Sequence, residues 1–544
     1  MSFERVLRDI GGFGLFNKTI LVAMVVLSTW HTTAAYFSHL FVLITPSGQW
    51  CFVNGSNVED FNLTLLPHKK CQIVSSTIQN GNVSMASNMQ ETCTSGWRYD
   101  KEEVFLTLTM ENGWVCGDSW KLYSVHTAYW IGSMVGYLIT GLLADKIGRK
   151  NTVCVFVLLS CAANLSGIFI TSHQGFALLR FLAGAGCYTV CRTTFVLAME
   201  HTVTERRTVM ATIWSLSWVL LACGFPWMAY YLQSWRWLLA SNGVIDSLLL
   251  LTLWWAPESS SWLLSTGRPE EALDILQTIA KFNRKTVTRE SIAKALLIDN
   301  GGSTAERSPN AKRTKPPGFW ETTFALVATP RVRKITLIMY SAWFIITMCY
   351  NVNNLELGRL GLDVYSTYSI AMAFELPVSV FCLLALDRLG RRWPNVAFMF
   401  IGGTVGVAVY LVRSDSNTWR LIMAVVCMMA WAGSYDVTCQ LASEVFPTVI
   451  RGRGVLLMRV MGDIGSCLGT QVAALVNWPP LGASCTVSYS VSKKCYKYSS
   501  TFRKLLKKTF NPIEVAHKVA NIKTTFNDLL RRHAKHAKWS RSGT

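Results

Sequence analysis

Residues Gly141 to Lys150 read GLLADKIGRK, a cluster of charge set between two long apolar runs. A related phrase, LALDRLGRR, occupies Leu384 to Arg392 in similar surroundings. Two such phrases in matching context indicate a chain built from related halves. In each, a glycine between an acid and a basic pair permits a tight turn, so the charges sit on a short connection between helices. Asp145 stands where one apolar run ends, and Lys146, Arg149 and Lys150 stand where the next begins. A carboxylate there can pair with those cations and with a neighbouring helix N-terminus, forming a charged clasp. Asp387, Gly390, Arg391 and Arg392 repeat the order.

The solvent of this chain is mostly lipid. Hydrophobic residues make up 51% of 544, charged residues only 15%, and the mean hydropathy is +0.29. A helix needs about 20 apolar residues to cross the roughly 30 Å hydrocarbon layer, and it satisfies its own backbone groups where water is absent. Eleven runs qualify as spans, six within 19–256 and five within 335–478. The first is too long and too late for a cleaved signal peptide. The expected class is therefore an all-α membrane protein.

Lys and Arg in short connections favour the cytoplasm. Asp145 to Lys150, Arg206 and Arg207, segment 257–334, Asp387 to Arg392 and Arg451 to Arg453 fall in every second connection. The polar opening 1–18 is then expected inside the cell, and segment 46–121 outside a multi-pass plasma-membrane protein. That outer segment holds Cys51, Cys71, Cys93 and Cys116, which allow three disulfide pairings. It also holds Asn54, Asn62 and Asn82, each opening an Asn-X-Ser/Thr glycosylation acceptor. Asn164 opens another inside a span, where no glycan can be attached. The other twelve cysteines lie mostly in spans and read as small buried hydrophobes.

Further phrases extend the pattern: GGFGLFNK at Gly11, RFLAGAG at Arg180, SWRW at Ser234, PESSSWLLSTGRPEEA at Pro257, TPRVRKITL at Thr329, FELP at Phe374 and SEVFPTVIRGRG at Ser443. With these, the chain over about residues 1 to 478 resembles the major facilitator superfamily, and within it the organic ion transporter family, nearest to the organic cation branch. Sugar porters share the Gly-Arg loops and a Pro-Glu-Ser segment but usually lack the cysteine-bearing outer segment. The resemblance implies a major facilitator fold of two six-helix bundles, 19–256 and a second beginning at 335, around a central site reached alternately from each side. It implies that the clasp comprises Gly141, Asp145, Gly148, Arg149, Lys150 and Glu200 in the first half. Asp387, Gly390, Arg391, Arg392, Glu444 and Arg451 are its counterparts in the second. It also implies an amphipathic cytoplasmic segment at 257–334, and EEALDILQTIAKF, Glu270 to Phe282, has apolar residues at helical spacing there. Gly301 to Gly318 reads as a flexible linker.

After Trp478 the resemblance stops, and the expected twelfth span is missing or replaced. The tail 479–544 is basic, with fourteen Lys or Arg after Ser492 against Glu514 and Asp528. It reads as an alternative splice form or a gene-model error; binding to anionic lipid is the other reading.

Charge inside lipid is costly and usually lines a wetted path or meets a partner. The second half has three intramembrane carboxylates: Glu375 in FELP, Asp436 in GSYDVTCQ and Asp463 in MGDIGS. The position of Asp463 resembles the aspartate of the organic cation branch. Two structural alternatives stand beside this: Arg459, four residues earlier, could neutralise Asp463, and Glu375 beside Pro377 could stabilise an interrupted helix. Aromatic faces complete a site for an organic cation. Trp218, Trp343 and Tyr350 are the leading candidates, with Tyr368 and Trp214 behind them; packing or an interfacial belt is the alternative for each.

No phosphate-binding loop and no metal-ligand constellation is present in the sequence, and neither a cofactor nor nucleic acid is expected. A cation carrier needs neither ATP nor metal, since the membrane potential contributes about 2.3 kcal/mol per charge per 100 mV. The expected function is facilitated diffusion of small organic cations by alternating access. Organic anion or zwitterion transport and a non-transporting regulatory protein are the alternatives, and no enzymatic constellation is recognisable.

Overall fold

The computed structural model describes residues 2–46, 49–52, 72–79, 82–89, 97–99, 104–301, 319–358, 363–411, 417–447 and 450–475. The chain opens with a short helix, α1 (Ser2–Asp9), and enters the first long helix, α2 (Val22–Val42), through a π-helical turn over Asn17–Leu21. Strands β1 (Gln49–Phe52), β2 (Gln72–Gln79), β3 (Asn82–Met89) and β4 (Trp97–Tyr99) follow, in the order β3-β2-β1-β4. β1 runs parallel to β2, and the other two pairings are antiparallel. This sheet is a small addition that the reading of the outer segment did not include.

A one-turn helix, α3 (Leu108–Glu111), leads into five long helices: α4 (Ser119–Ile147), α5 (Arg149–Gly167), α6 (His173–Glu200), α7 (Arg207–Leu232) and α8 (Trp235–Trp255). Four shorter helices come next, α9 (Ser260–Ser265), α10 (Pro269–Phe282), α11 (Arg289–Gly301) and α12 (Phe319–Ala328). The second half comprises α13 (Pro330–Leu357), α14 (Val364–Ala373), α15 (Glu375–Leu389), α16 (Arg392–Leu411), α17 (Asn417–Val445) and α18 (Arg451–Leu475). We call the side bearing the α4–α5 and α15–α16 connections the clasp end, and the opposite side the sheet end.

The helix boundaries follow from local chemistry. Gly148 ends α4 at φ +95° and Gly390 ends α15 at φ +74°, so the two related phrases make the same left-handed break in both halves. Thr329 caps α13, its hydroxyl accepting from the Val332 N–H at 3.3 Å, and Pro330 takes the first helical position, where its missing N–H costs nothing. Between α14 and α15 the helix breaks at Phe374, because Pro377 has no N–H to continue the hydrogen-bond ladder.

Nine of the described helical stretches are long and apolar enough to cross a membrane. The remaining two of the eleven expected spans, α16 and α18, pack as the others do, α16 on α17 and α18 on α13 and α4. The hydropathy of α18 is lowered by Arg451, Arg453, Arg459 and Asp463. Close helix approach depends on small residues: Gly132 and Gly136 of α4 face the Phe181 and Ala185 carbonyls of α6, leaving no room for a side chain. The halves meet along α4 with α18 and α7 with α14.

At the clasp end, α10 buries Ala272, Leu273, Leu276, Ile279 and Ala280. The GGFGLFNK segment is tied to that helix through Asn283, which accepts from the Phe16 N–H and donates to the Ile10 carbonyl, both at 2.9 Å. Cys116 is disulfide-bonded, while ten cysteines of the helices are free, buried or half-buried. Cys71, Cys93, Asn54, Asn62 and the tail 479–544 lie outside the described residues, and Cys51 and Asn82 are described in backbone only, on β1 and β3.

Candidate functional site

Near the middle of the bundle, side chains from both halves converge. Glu375, at the first position of α15, is 5% exposed and accepts from the Tyr350 hydroxyl of α13 at 3.0 Å. Trp218 of α7 lies beside the same carboxylate, so two of the expected aromatics and one expected acid come together across the two halves. Asp436 of α17 accepts from the Ser379 hydroxyl at 3.3 Å. Asp463 of α18 is 8% exposed and lies beside Ser133 of α4, and its Oδ2 is buried without a hydrogen-bond partner among the described residues. Gly462, its neighbour in sequence, packs directly on the Trp343 indole.

Arg459 does not form an ion pair with Asp463. Its guanidinium donates to the Tyr435 hydroxyl at 2.6 Å and to Cys439 Sγ at 2.8 Å, and lies 4.4 Å over the Trp343 ring. A second guanidinium, from Arg192 of α6, reaches the same Tyr435 hydroxyl at 3.4 Å and covers the Trp214 ring at 4.8 Å. Arg192 was missed in the sequence, although a basic residue within a span is itself the signal. The three carboxylates therefore share their region with two cations, and the surplus negative charge is smaller than the acids alone indicate.

Tyr368 does not belong to this cluster. It is fully buried at the sheet end of α14, where its hydroxyl donates to the Asn354 carbonyl at 2.6 Å and its ring packs on Phe41.

At the clasp end, Arg149 lies 3.5 Å from Glu200, and Arg391 lies 2.9 Å from Glu444, the corresponding pair of the second half. Arg149, Arg391 and Arg451 each donate to the carbonyl five residues earlier, closing the ends of the preceding helices. Asp145 pairs with Arg149 as expected but does not cap the helix that follows. It is 73% exposed and 3.7 Å from Arg149. The carboxylate that caps α5 is instead Glu258 of the PESSSW phrase, which accepts from the Arg149 and Lys150 N–H groups at 2.9 and 3.0 Å. Its position against Gly148 leaves no space for a Cβ there. Trp262 of the same phrase donates to the Asp145 carbonyl at 3.1 Å. The side chain of Asp387 lies outside the described residues.

Residues 74–477 match the family described as sugar (and other) transporter. The chain belongs to this transporter family. Among curated proteins it is 27% identical to human solute carrier family 22 member 13, over 87% of this chain and 86% of that one. It is 29% identical to rat solute carrier family 22 member 7, over 87% and 90%. Rat organic cation/carnitine transporter 2 is also 29% identical, over 70% of this chain and 66% of its own length. In solved structures the fold is that of the xylose transporter XylE from E. coli in a partially occluded inward-open conformation, at TM-score 0.58, 15% identity, and 89% and 96% coverage. The transporter is thus a multi-pass membrane protein of the major facilitator fold, not an enzyme.

For a transporter, a fourth intramembrane carboxylate matters as well. Asp246 of α8 is 1% exposed and accepts from His31 Nδ1 of α2 at 2.5 Å and from Asn164 Nδ2 of α5 at 3.3 Å. Arg180, which opens RFLAGAG, donates to Asn164 Oδ1 at 3.2 Å. This buried relay ties together four helices of the first half. Its signal in the sequence is an acid within an apolar span of the first half.

Proposed function

We propose that the transporter moves small organic ions bearing a cationic group across the plasma membrane by alternating access, with its N-terminus in the cytoplasm. The observation that carries this reading is the buried Oδ2 of Asp463, which has no hydrogen-bond partner among the described residues although it sits where the two halves meet. A carboxylate in so dry a place is stabilised by a cation, and Tyr350 and Trp218 supply aromatic faces for an alkylammonium body, while Trp343 already carries Arg459 on its ring. The name of the rat organic cation/carnitine transporter agrees with it. Clasp-end positive charge supports the orientation, and the membrane potential suffices to drive uptake without ATP.

The test is uptake of labelled tetraethylammonium into liposomes holding the purified protein, with membrane current recorded. Inward positive current that Asp463→Asn reduces about tenfold or more supports the proposal, the charge pair being worth roughly 1 to 3 kcal/mol net in a partly wetted cavity. Current of the opposite sign with an organic anion, unaffected by Asp463→Asn, overturns it.

A further inference from the structure

At the clasp end, four cations gather near one asparagine. Asn283 accepts from the Phe16 N–H and donates to the Ile10 carbonyl, so the chain entering the first span is fastened to the end of α10. Gly14 lies against the Asn283 amide with no room for a Cβ, which brings the two segments close together. Lys18 follows on one segment, Lys281, Arg284 and Lys285 lie on the other, and all four are exposed. None of them has an ion-pair partner among the described residues. The acids of α10 are taken by other arginines: Glu271 by Arg268, and Glu270 and Asp274 by Arg289.

Helix chemistry explains only part of this. Cations suit the last turn of α10, where the helix carbonyls are negative. Lys18 stands at the opposite kind of end, the second residue of the membrane-crossing stretch Asn17–Val42, where the dipole disfavours a cation. Arg284 sits at φ +56°, a left-handed position that favours glycine, while Lys285 closes the helix end by donating to the Ala280 carbonyl at 2.9 Å. A side chain kept at backbone strain on a surface points to a use for that side chain. Beside these cations, Leu15 is 48% and Phe282 41% exposed, and the Phe282 ring meets Phe16 edge-on at 6.0 Å.

An exposed apolar pair flanked by unpaired cations, level with the start of a span, matches the boundary between lipid headgroups and acyl chains. We propose that Lys18, Lys281, Arg284 and Lys285 form a binding site for an anionic phospholipid of the clasp-end leaflet, with Leu15 and Phe282 meeting its upper acyl carbons. A soluble anion has no use for those two apolar side chains. The site uses no residue of the central cluster, so it is independent of the sign of the transported ion. Because Asn283 joins α10 to the start of the first span, a bound headgroup holds both at the membrane surface.

The experiment is native mass spectrometry of the purified full chain from mixed micelles with equal amounts of dioleoyl phosphatidylinositol bisphosphate and dioleoyl phosphatidylcholine. Wild type is expected to retain the bisphosphate lipid with a preference of about tenfold or more, each cation near an anionic surface contributing about fivefold. Arg284→Gly should cut that preference by about threefold to fivefold while the melting temperature holds or rises, because glycine relieves the left-handed backbone. Combining it with Lys18→Gln, Lys281→Gln and Lys285→Gln should remove most of the preference. Equal retention of the two lipids by wild type overturns the proposal and needs no variant to fold. An undiminished preference in the fourfold variant also overturns it, placing the lipid elsewhere, for instance on the basic residues 479–544. Soluble inositol trisphosphate should displace the lipid only weakly; displacement as effective as that by unlabelled lipid identifies a free-phosphate site and overturns the lipid assignment.

Discussion

Glu258 caps the helix that begins at Arg149, its Oε1 accepting the Arg149 backbone N–H at 2.9 Å. Glu258 stands 58 positions after the Glu200 that pairs with the Arg149 side chain, so one connection is held by carboxylates from two separate parts of the chain. The left-handed Gly148 makes the arrangement possible, since any side chain there would displace Glu258.

Removing the cap should therefore act on the conformational cycle. Loss of an N-terminal cap costs about 0.5 to 2 kcal/mol, and Glu258 touches no part of the central cluster. Glu258→Ala is expected to lower turnover several-fold with KM near wild type, and Glu258→Gln, which keeps an acceptor, to lie between. Asp145→Asn should matter less, because an exposed pair at 3.7 Å contributes little. Initial rates normalised to surface protein decide it; a larger effect from Asp145→Asn than from Glu258→Ala would restore Asp145 as the capping acid.

At the sheet end, Glu111 joins α3 to α8. It accepts from the Arg236 guanidinium through both oxygens, at 2.8 and 2.6 Å, and from the Trp235 indole at 2.8 Å. The Arg236 hydrogen bond, aided by Trp235, holds the Glu111 carboxyl below its ordinary value of 4.5. A depressed folded-state value gives stability that is present above the unfolded value and lost as pH falls through the folded one. Wild type should melt higher than Glu111→Gln at pH 7, and the gap should close as pH drops below about 4.5. A gap that is constant with pH means the carboxylate charge contributes nothing.

What the sequence made legible tracks how local each signal is. Gly148 and Gly390 announce their turns through one residue type and its neighbours, and both turns are present. Pro377 marks the helix break in the same local way. The partners of those motifs are not local. Glu258 sits in a phrase recognised for its family likeness, yet that it caps α5 depends on the folding back of α9, which no spacing within the phrase encodes. Tyr368 and Tyr350 look alike as aromatics in spans; only the turn of each helix decides that one meets Glu375 and the other packs on Phe41. Arg192 and Asp246 were legible as charges in lipid, whereas their partners Tyr435 and His31 were not.

The Tyr350 and Trp218 contacts make Glu375 a satisfied carboxylate, unlike Asp463. Leaving a buried acid short of one donor costs about 1 to 3 kcal/mol. Tyr350→Phe is expected to lower the melting temperature or the substrate affinity by an amount in that range, and the effect should largely vanish in a Glu375→Gln background. The double-mutant cycle isolates the pair. Additive losses show that the hydroxyl and the carboxylate do not act together.

The relay from His31 to Arg180 makes the sharpest stability prediction, because every member is buried among four helices. His31 Nδ1 donates to Asp246 at 2.5 Å, and Asp246 reaches Arg180 only through Asn164. Removing one partner of a buried hydrogen bond leaves the other unsatisfied, which costs roughly 1 to 3 kcal/mol and more where the group left behind is charged, whereas replacing both by apolar groups of the same shape can be nearly neutral. His31→Leu and Asp246→Leu should each reduce the melting temperature and the folded yield in detergent. The double variant should recover much of the loss, though not all of it, since Asn164 and the Arg180 charge behind it still lack their acid. Adding Arg180→Met to the double variant should recover more. Strictly additive losses across the series show that these groups fill space independently, and the idea of a relay that binds the first half into one rigid body is then wrong.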